Sequence, residues 1–109
     1  MSIQLVKVNK FFVLGSTGCS CCRNDNFVDG PHDTAEKALE TSAWHERNRT
    51  VASQYARNGI YEVREIEIEQ LVGDERGRWI VDTRIFEGQL YDNGEDLYNN
   101  FSYEGTRLL

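Results

Sequence analysis

The alternation of apolar and polar residues over Ile60–Val72 constrains the fold of this chain more than any other feature of the sequence. Such alternation is typical of a strand in a half-buried sheet. The apolar residues first occupy one phase of the alternation and then the other: Tyr61 and Val63, followed by Ile66 and Ile68. Because a one-residue change of phase is typical of a bulge, we predict a bulge near Arg64-Glu65.

A helix is predicted after the only proline in the chain. Asp33 can accept hydrogen bonds from free backbone N–H groups, and Glu36 three residues later completes a capping-box pattern. The helix is expected to run from Ala35 to about Arg57 and to end at Asn58-Gly59.

The apolar residues of this predicted helix do not form one continuous stripe. Ala35, Ala38 and Leu39 share one face, whereas Trp44, Val51 and Tyr55 lie nearly opposite. Either the helix breaks near Asn48, or one helix packs on its own sheet with one face and meets a partner subunit with the other.

Shorter strand patterns lie on both sides of the helix. The predicted segments are Ile3–Leu14 as one strand or a pair, Asn26–Val28 before a turn at Asp29–Pro31, Arg78–Phe86 after a turn at Gly73–Gly77, and a hairpin of Gln89–Tyr91 with Leu97–Tyr103. The order of strands, helix and strands predicts one α+β domain over residues 1–109. We expect an antiparallel sheet of about four to five strands packed on one long or broken helix.

Charge and hydropathy exclude several classes of protein. Twelve basic and eighteen acidic residues give a net charge of −6, which disfavours an extended nucleic-acid groove. The N-terminal segment is not typical of a signal peptide, and no segment approaches the roughly 18 apolar residues of a membrane helix. We therefore expect a cytoplasmic protein that binds neither membrane nor extended nucleic acid.

The three cysteines are clustered at Cys19, Cys21 and Cys22. Their odd number argues against a disulfide framework and favours reduced thiols. Cys19 and Cys22 have the spacing of a zinc knuckle, which His32 and His45 would complete, but a second closely spaced pair of ligands is missing. Because packing of small side chains under a loop is the more usual origin of such a cluster, we predict no metal and no cofactor.

Two other segments carry groups that suit a phosphorylated ligand. In the first, Gly15–Gly18 followed by Arg23 and Asn24 combines backbone N–H groups, hydroxyls and a guanidinium, although a plain turn explains it too. In the second, Tyr98–Tyr103 followed by Arg107 places rings beside amides and a cation, although an edge strand has the same pattern.

Acidic residues alternate along the strongest strand at Glu65, Glu67 and Glu69. A solvated sheet face is the usual origin of this pattern, and it also suits a protein-binding inhibitor that mimics phosphates. We find no catalytic triad, zinc-protease motif or nucleophile elbow, so we do not predict an enzyme.

Several segments together resemble small bacteriophage proteins, in particular the Thoeris anti-defence sponges that bind cyclic ADP-ribose isomers. The resemblance covers about two thirds of the chain and rests on four segments: Gly18–Asn24, Asn26-Phe27, Gly30-Pro31 and Ser53–Ala56. It implies a phage protein that captures a cyclic nucleotide signal without degrading it, usually as an oligomer.

The leading hypothesis is a homo-oligomer that sequesters a small cyclic nucleotide between rings and arginines. The predicted ligand-binding residues are Ser16, Arg23, Asn24, Phe27, Arg57, Tyr103 and Arg107. The alternative is an acidic inhibitor of a host nuclease or defence complex that acts through the glutamate row at 65–69.

Overall fold

A long antiparallel ladder between strands β1 (Gln4–Ser16) and β3 (Ile60–Val72) forms the centre of the fold. The computed structural model describes residues 2–16, 26–51, 59–92 and 100–109. Over the whole ladder each residue of β1 faces one residue of β3, from Gln4 opposite Val72 to Ser16 opposite Ile60. The first strand is therefore continuous, without a turn at Asn9-Lys10.

Shorter strands and one helix complete the domain. In chain order they are β2 (Phe27–His32), α1 (Ala35–Arg47), β4 (Arg78–Val81), β5 (Arg84–Glu87), β6 (Leu90–Asp92) and β7 (Thr106–Arg107). The sheet order is β5-β4-β3-β1-β2-β6, with β7 also paired to β3, and every pairing is antiparallel. This confirms the predicted α+β class with an antiparallel sheet packed on a helix, and the short strands account for the larger number of strands.

The central ladder has a hydrophobic core on each of its two faces. Helix α1 covers one face, where the core consists of Val13, Phe27, Ala38, Val51 and Val63. The opposite face carries the larger core, built from Phe12, Leu14, Val28, Ile66, Ile68, Trp79, Val81 and Phe101. Because neighbouring side chains of a strand point to opposite faces, both phases of the alternation are buried.

This burial of both faces corrects the predicted bulge near Arg64-Glu65. The pairing of β1 with β3 is regular at these residues. The change of phase in the sequence arises because Val63 belongs to the core under the helix and Ile66 belongs to the core on the other side.

A bulge occurs instead between β1 and β2. Phe11 faces His32 and Val13 faces Asp29, so three steps along β2 match two steps along β1. An extra residue in one strand brings side chains of odd spacing to the same face. The strand also continues through Gly30 and Pro31, where the sequence predicted a turn.

Helix α1 is shorter than predicted, because it ends at Arg47 and is followed by Asn48 as its C-terminal cap. Of the two alternatives, the break near Asn48 is therefore correct. At the start of the helix, the Thr34 hydroxyl accepts the hydrogen bond of the Lys37 N–H group. The predicted cap Asp33 instead forms an ion pair with Lys10.

The C-terminal half departs from the predicted strands at two places. A tight turn at Asp82 and Thr83, both with positive φ, divides the predicted strand Arg78–Phe86 into β4 and β5. Residues 100–102 form a helical turn, so the predicted strand Leu97–Tyr103 is wrong where the structure describes it.

Among the described residues, no helix combines the length and the apolar composition that a membrane-spanning helix requires.

Gly15 allows the ring of Phe27 to pack flat on the ladder, because a Cβ at this position would lie 2.0 Å from the ring. We expect Gly15→Ala to lower the free energy of unfolding by about 1–3 kcal/mol through overpacking. Urea denaturation measures this loss. The double variant Gly15→Ala with Phe27→Leu serves as the control, and its loss should be smaller than the sum of the two single losses. Unchanged stability of Gly15→Ala would contradict this packing.

Candidate functional site

Ser16, the first predicted ligand-binding residue, lies at the end of the ladder opposite Ile60. Gly59 packs tightly against this end, since a Cβ on it would lie 2.7 Å from the Ser16 carbonyl oxygen and 2.8 Å from that of Val51. The Gly59 N–H group also donates a hydrogen bond to the Val51 carbonyl oxygen at 2.8 Å. Three separate parts of the chain therefore meet at one corner of the sheet.

Tyr61 holds this corner together from the helix-covered face. Its hydroxyl donates to the Val51 carbonyl oxygen and accepts from the Val51 N–H group, each at 3.0 Å. Val51 itself is buried. The predicted grouping of Val51 with Trp44 on one helix face is therefore wrong, because the helix ends before Val51 and Trp44 remains half exposed.

Three of the predicted ligand-binding residues lie outside the described residues, namely Arg23, Asn24 and Arg57. The described residues that flank them show where these segments of the chain begin and end. Segment 17–25 follows Ser16, and segment 52–58 connects Val51 to Gly59. Both segments therefore join the described fold at the same corner.

Phe27 is fully buried and does not offer its ring to a ligand in this structure. Its ring lies over Gly15 and packs 4.5 Å from the ring of His45, centroid to centroid. The physical reason is the pairing of Phe27 with Gly15, which leaves room for the ring beneath the helix.

Arg107 pairs with Arg64 of β3, and its side chain lies on the opposite face of the sheet from the helix. Its Nε atom is 2.8 Å from the Leu109 carbonyl oxygen and 3.4 Å from Oε2 of the buried Glu62. Arg64 contacts the same carboxylate oxygen at 3.2 Å. Arg107 thus helps to neutralise a buried carboxylate, which was not predicted.

Tyr103, the last of the predicted residues, is the most exposed of the large hydrophobic side chains described, at 87%. It follows the helical turn at residues 100–102. The described residues of the predicted set are therefore dispersed: Ser16 ends β1, Arg107 lies on β7 beside Arg64, Phe27 is in the core, and Tyr103 faces solvent.

The two histidines converge, but on a carboxylate. His45 Nε2 lies 2.8 Å from Asp29 Oδ2, and His32 Nε2 lies 3.5 Å from Asp29 Oδ1. Both imidazoles are buried, and His32 Nε2 has no hydrogen-bond partner among the described groups. The other ring nitrogen of His45 contacts the Thr50 hydroxyl at 2.8 Å.

The bulge in β2 and the position of His45 on α1 create this cluster of Asp29, His32, His45 and Thr50. In a regular strand Asp29 and His32 would face opposite sides, because their spacing is three. Sequence reasoning considered the histidines only as zinc ligands, and no local signal located the bulge. Within the described residues, no group of three or more histidine, cysteine, aspartate or glutamate side chains is arranged to hold a metal ion, and the cysteines lie outside these residues.

Opposing effects set the pKa of Asp29. Burial would raise the pKa, but the contacts from His32, His45 and Gln89 together outweigh burial and hold the pKa of Asp29 below its ordinary value of 3.8. The native contacts therefore favour the ionised carboxylate.

The glutamate row lies along β3, and its three members differ in exposure. Glu67 is exposed, whereas Glu65 and Glu69 are only partly exposed. Glu69 is also directly opposite Lys7 of β1. The surface along the row is therefore less uniformly negative than three alternating glutamates in the sequence suggest.

Comparisons with known protein families, with curated proteins and with solved structures found no match for this chain.

The Asp29 contacts predict a specific dependence of stability on pH. We expect Asp29→Asn to lower the free energy of unfolding by about 1–3 kcal/mol at pH 7, because it removes a charge-assisted hydrogen bond. Since the native pKa is lowered, the stability contributed by the carboxylate is present above pH 3.8 and is lost as the pH falls further. The difference between variant and wild type should therefore shrink at pH 3.

Urea denaturation at pH 7, 5 and 3 measures this dependence. The control is Asp33→Asn, because Asp33 also forms an ion pair but its side chain is 85% exposed. We expect the control to change stability by about 0.5 kcal/mol or less at every pH. An Asp29→Asn effect that is equal at pH 7 and pH 3 would contradict the assigned role of the carboxylate.

Proposed function

We propose that this protein is a phage anti-defence protein that binds and sequesters a cyclic nucleotide immune signal without catalysis. The single observation that carries the proposal is the corner at which Ser16, Val51 and Gly59 meet. Segments 17–25 and 52–58 join the fold there, and they contain Arg23, Asn24 and Arg57. Residues far apart in sequence are thereby attached to one corner of a rigid sheet.

The chemistry of these residues suits a phosphodiester. Guanidinium groups bind phosphate oxygens through paired, charge-assisted hydrogen bonds, and an amide can read the polar edge of a base. A few arginines would favour a compact anion over an extended polyanion, because the net charge of −6 repels the latter.

The buried cluster around Asp29 supports binding without turnover. Its hydroxyl, imidazole and carboxylate form a hydrogen-bonded series, but His45 is only 3% exposed. In hydrolase triads the hydroxyl faces Nε2 and the acid holds Nδ1, whereas here the two partners are exchanged. The series therefore suits a structural role in holding α1 on β2.

Isothermal titration calorimetry against cyclic AMP, cyclic GMP, cyclic di-AMP and cyclic ADP-ribose tests the proposal. We expect at least one of these to bind and to be recovered chemically intact after heat release from the protein. Arg23→Ala and Arg57→Ala should each weaken its binding about tenfold or more, since each removes a charge-assisted contact worth about 1.5–3 kcal/mol.

Two control variants separate this proposal from the acidic-inhibitor alternative. Arg84→Ala removes an exposed arginine on β5, and Glu67→Lys reverses the exposed member of the glutamate row. Neither should change nucleotide binding. Absence of binding by every member of the panel, with the protein folded by circular dichroism, would exclude the proposed function.

A further inference from the structure

We propose that the outer face of α1 is a binding subsite for a phosphorylated aromatic ring, such as a nucleotide. A groove of about 600 Å³ lies along this face. Its lining, among the described residues, consists of Lys37, Glu40, Thr41, Ala43, Trp44 and Arg47. The volume falls within the range of about 300–1,000 Å³ that is usual for small-molecule sites.

Trp44 supplies a surface on which a ring can stack. Its side chain is 51% exposed, although tryptophan is usually well covered in a small domain. The edge of the ring is supported by His45, with the two ring planes at 86° and their centroids 5.1 Å apart. Because buried contacts to Asp29 and Thr50 fix His45, Trp44 rests on a rigid neighbour.

Two cations flank this ring along the helix. Lys37 and Arg47 are both exposed, and within the described residues neither side chain forms an ion pair. They are ten residues apart, which corresponds to about 15 Å along a helix. A ring on Trp44 would lie one turn from Arg47, so a phosphate attached to that ring through a sugar is within reach of a cation.

The remaining lining residues suit the polar parts of such a ligand. Ala43 leaves space beside the ring, and Glu40 one turn before Trp44 offers an acceptor for an exocyclic amine or a sugar hydroxyl. The Thr41 hydroxyl donates to the Lys37 carbonyl oxygen at 2.8 Å and retains lone pairs that can accept.

The negative net charge of the molecule restricts anion binding to places such as this pair of cations. With a net charge of −6, the protein attracts anions only where basic side chains are locally in excess, and in this groove Lys37 and Arg47 outnumber the carboxylate of Glu40. A free phosphate would interact only with the two cations, and an uncharged nucleoside would interact only with the Trp44 ring. The groove is therefore complementary to ligands that carry both groups.

This inference deepens the proposed function and rests on it only for the identity of the natural ligand. None of the lining residues belongs to the set predicted from the sequence. The test is therefore designed so that the groove and the proposed function can fail separately.

Tryptophan fluorescence provides a local readout, because the chain has two tryptophans and the other, Trp79, is 3% exposed. We expect adenosine 5′-monophosphate to quench the emission of Trp44, with adenosine and inorganic phosphate each binding at least tenfold more weakly. Binding by Trp44 variants, which lack this fluorophore, is measured by isothermal titration calorimetry. Trp44→Leu should weaken binding about tenfold or more, the range for loss of one stacked ring. Trp44→Phe should retain affinity within about threefold.

The cations are tested by Lys37→Ala and Arg47→Ala, each of which should weaken binding of the monophosphate but not of adenosine. Leu39→Ala is the matched control, because Leu39 is 40% exposed on the same helix and does not line the groove. It should bind all three probes as the wild type does. Circular dichroism and thermal denaturation establish that every variant is folded.

The outcomes separate the two proposals. If no probe quenches the wild type, or if Trp44→Leu binds the monophosphate and the cyclic nucleotides with wild-type affinity, the groove is not a subsite. Cyclic nucleotides that depend on Arg23 and Arg57 but not on Trp44 would overturn the groove and leave the proposed function standing. Monophosphate binding that depends on Trp44, without cyclic nucleotide binding, would support the groove and overturn the proposed function.

Discussion

The regular pairing of β1 with β3 is the interaction on which the rest of the structure depends. It runs without interruption from Gln4 to Ser16, and each of its faces carries a hydrophobic core. Because both faces of the ladder are covered, one set of backbone hydrogen bonds supports two layers of buried apolar side chains. In this way a chain of 109 residues obtains a sufficient core. Helix α1, strand β2 and the C-terminal segment are all positioned by this ladder.

The bulge in β2 creates the buried cluster of one carboxylate and two imidazoles. It turns Asp29 and His32 to one face, where His45 of the helix meets them. The carboxylate is stabilised there against the effect of burial, so the cluster ties α1 to the sheet through ionised and hydrogen-bonded groups. The same contacts hold His45 beside Trp44, and they link the buried cluster to the outer surface of the helix.

Both proposals for anion binding concern parts of this arrangement. The corner formed by Ser16, Val51 and Gly59 collects segments that are distant in sequence, and the outer face of α1 displays one ring between two cations. On the outer face of α1, the exposed side chains of Lys37, Trp44 and Arg47 lie outside both hydrophobic cores. The proposed binding needs such a separation between a packed scaffold and exposed recognition residues.

Sequence patterns predicted the long strand Ile60–Val72, the start of the helix near Ala35 and the α+β class, because these depend on local periodicity and capping. Sequence patterns did not predict the turn at Asp82, because aspartate tolerates a positive φ but does not require one. The change of phase after Val63 was visible but misinterpreted, because one-dimensional alternation does not distinguish a bulge from a strand buried on both faces.

The candidate site, like the fold, was predictable from the sequence only in part. Residue chemistry alone singled out the arginines and the glycine-rich segment. Local pattern placed Ser16 in a turn after a strand ending at Leu14, whereas the structure continues β1 through Ser16. Only the tertiary structure decided that Phe27 is buried, that Arg107 neutralises Glu62, and that Asp29 joins two histidines. The physical reason is that local sequence governs backbone hydrogen bonds and turns, whereas burial and charge pairing depend on which strands become neighbours.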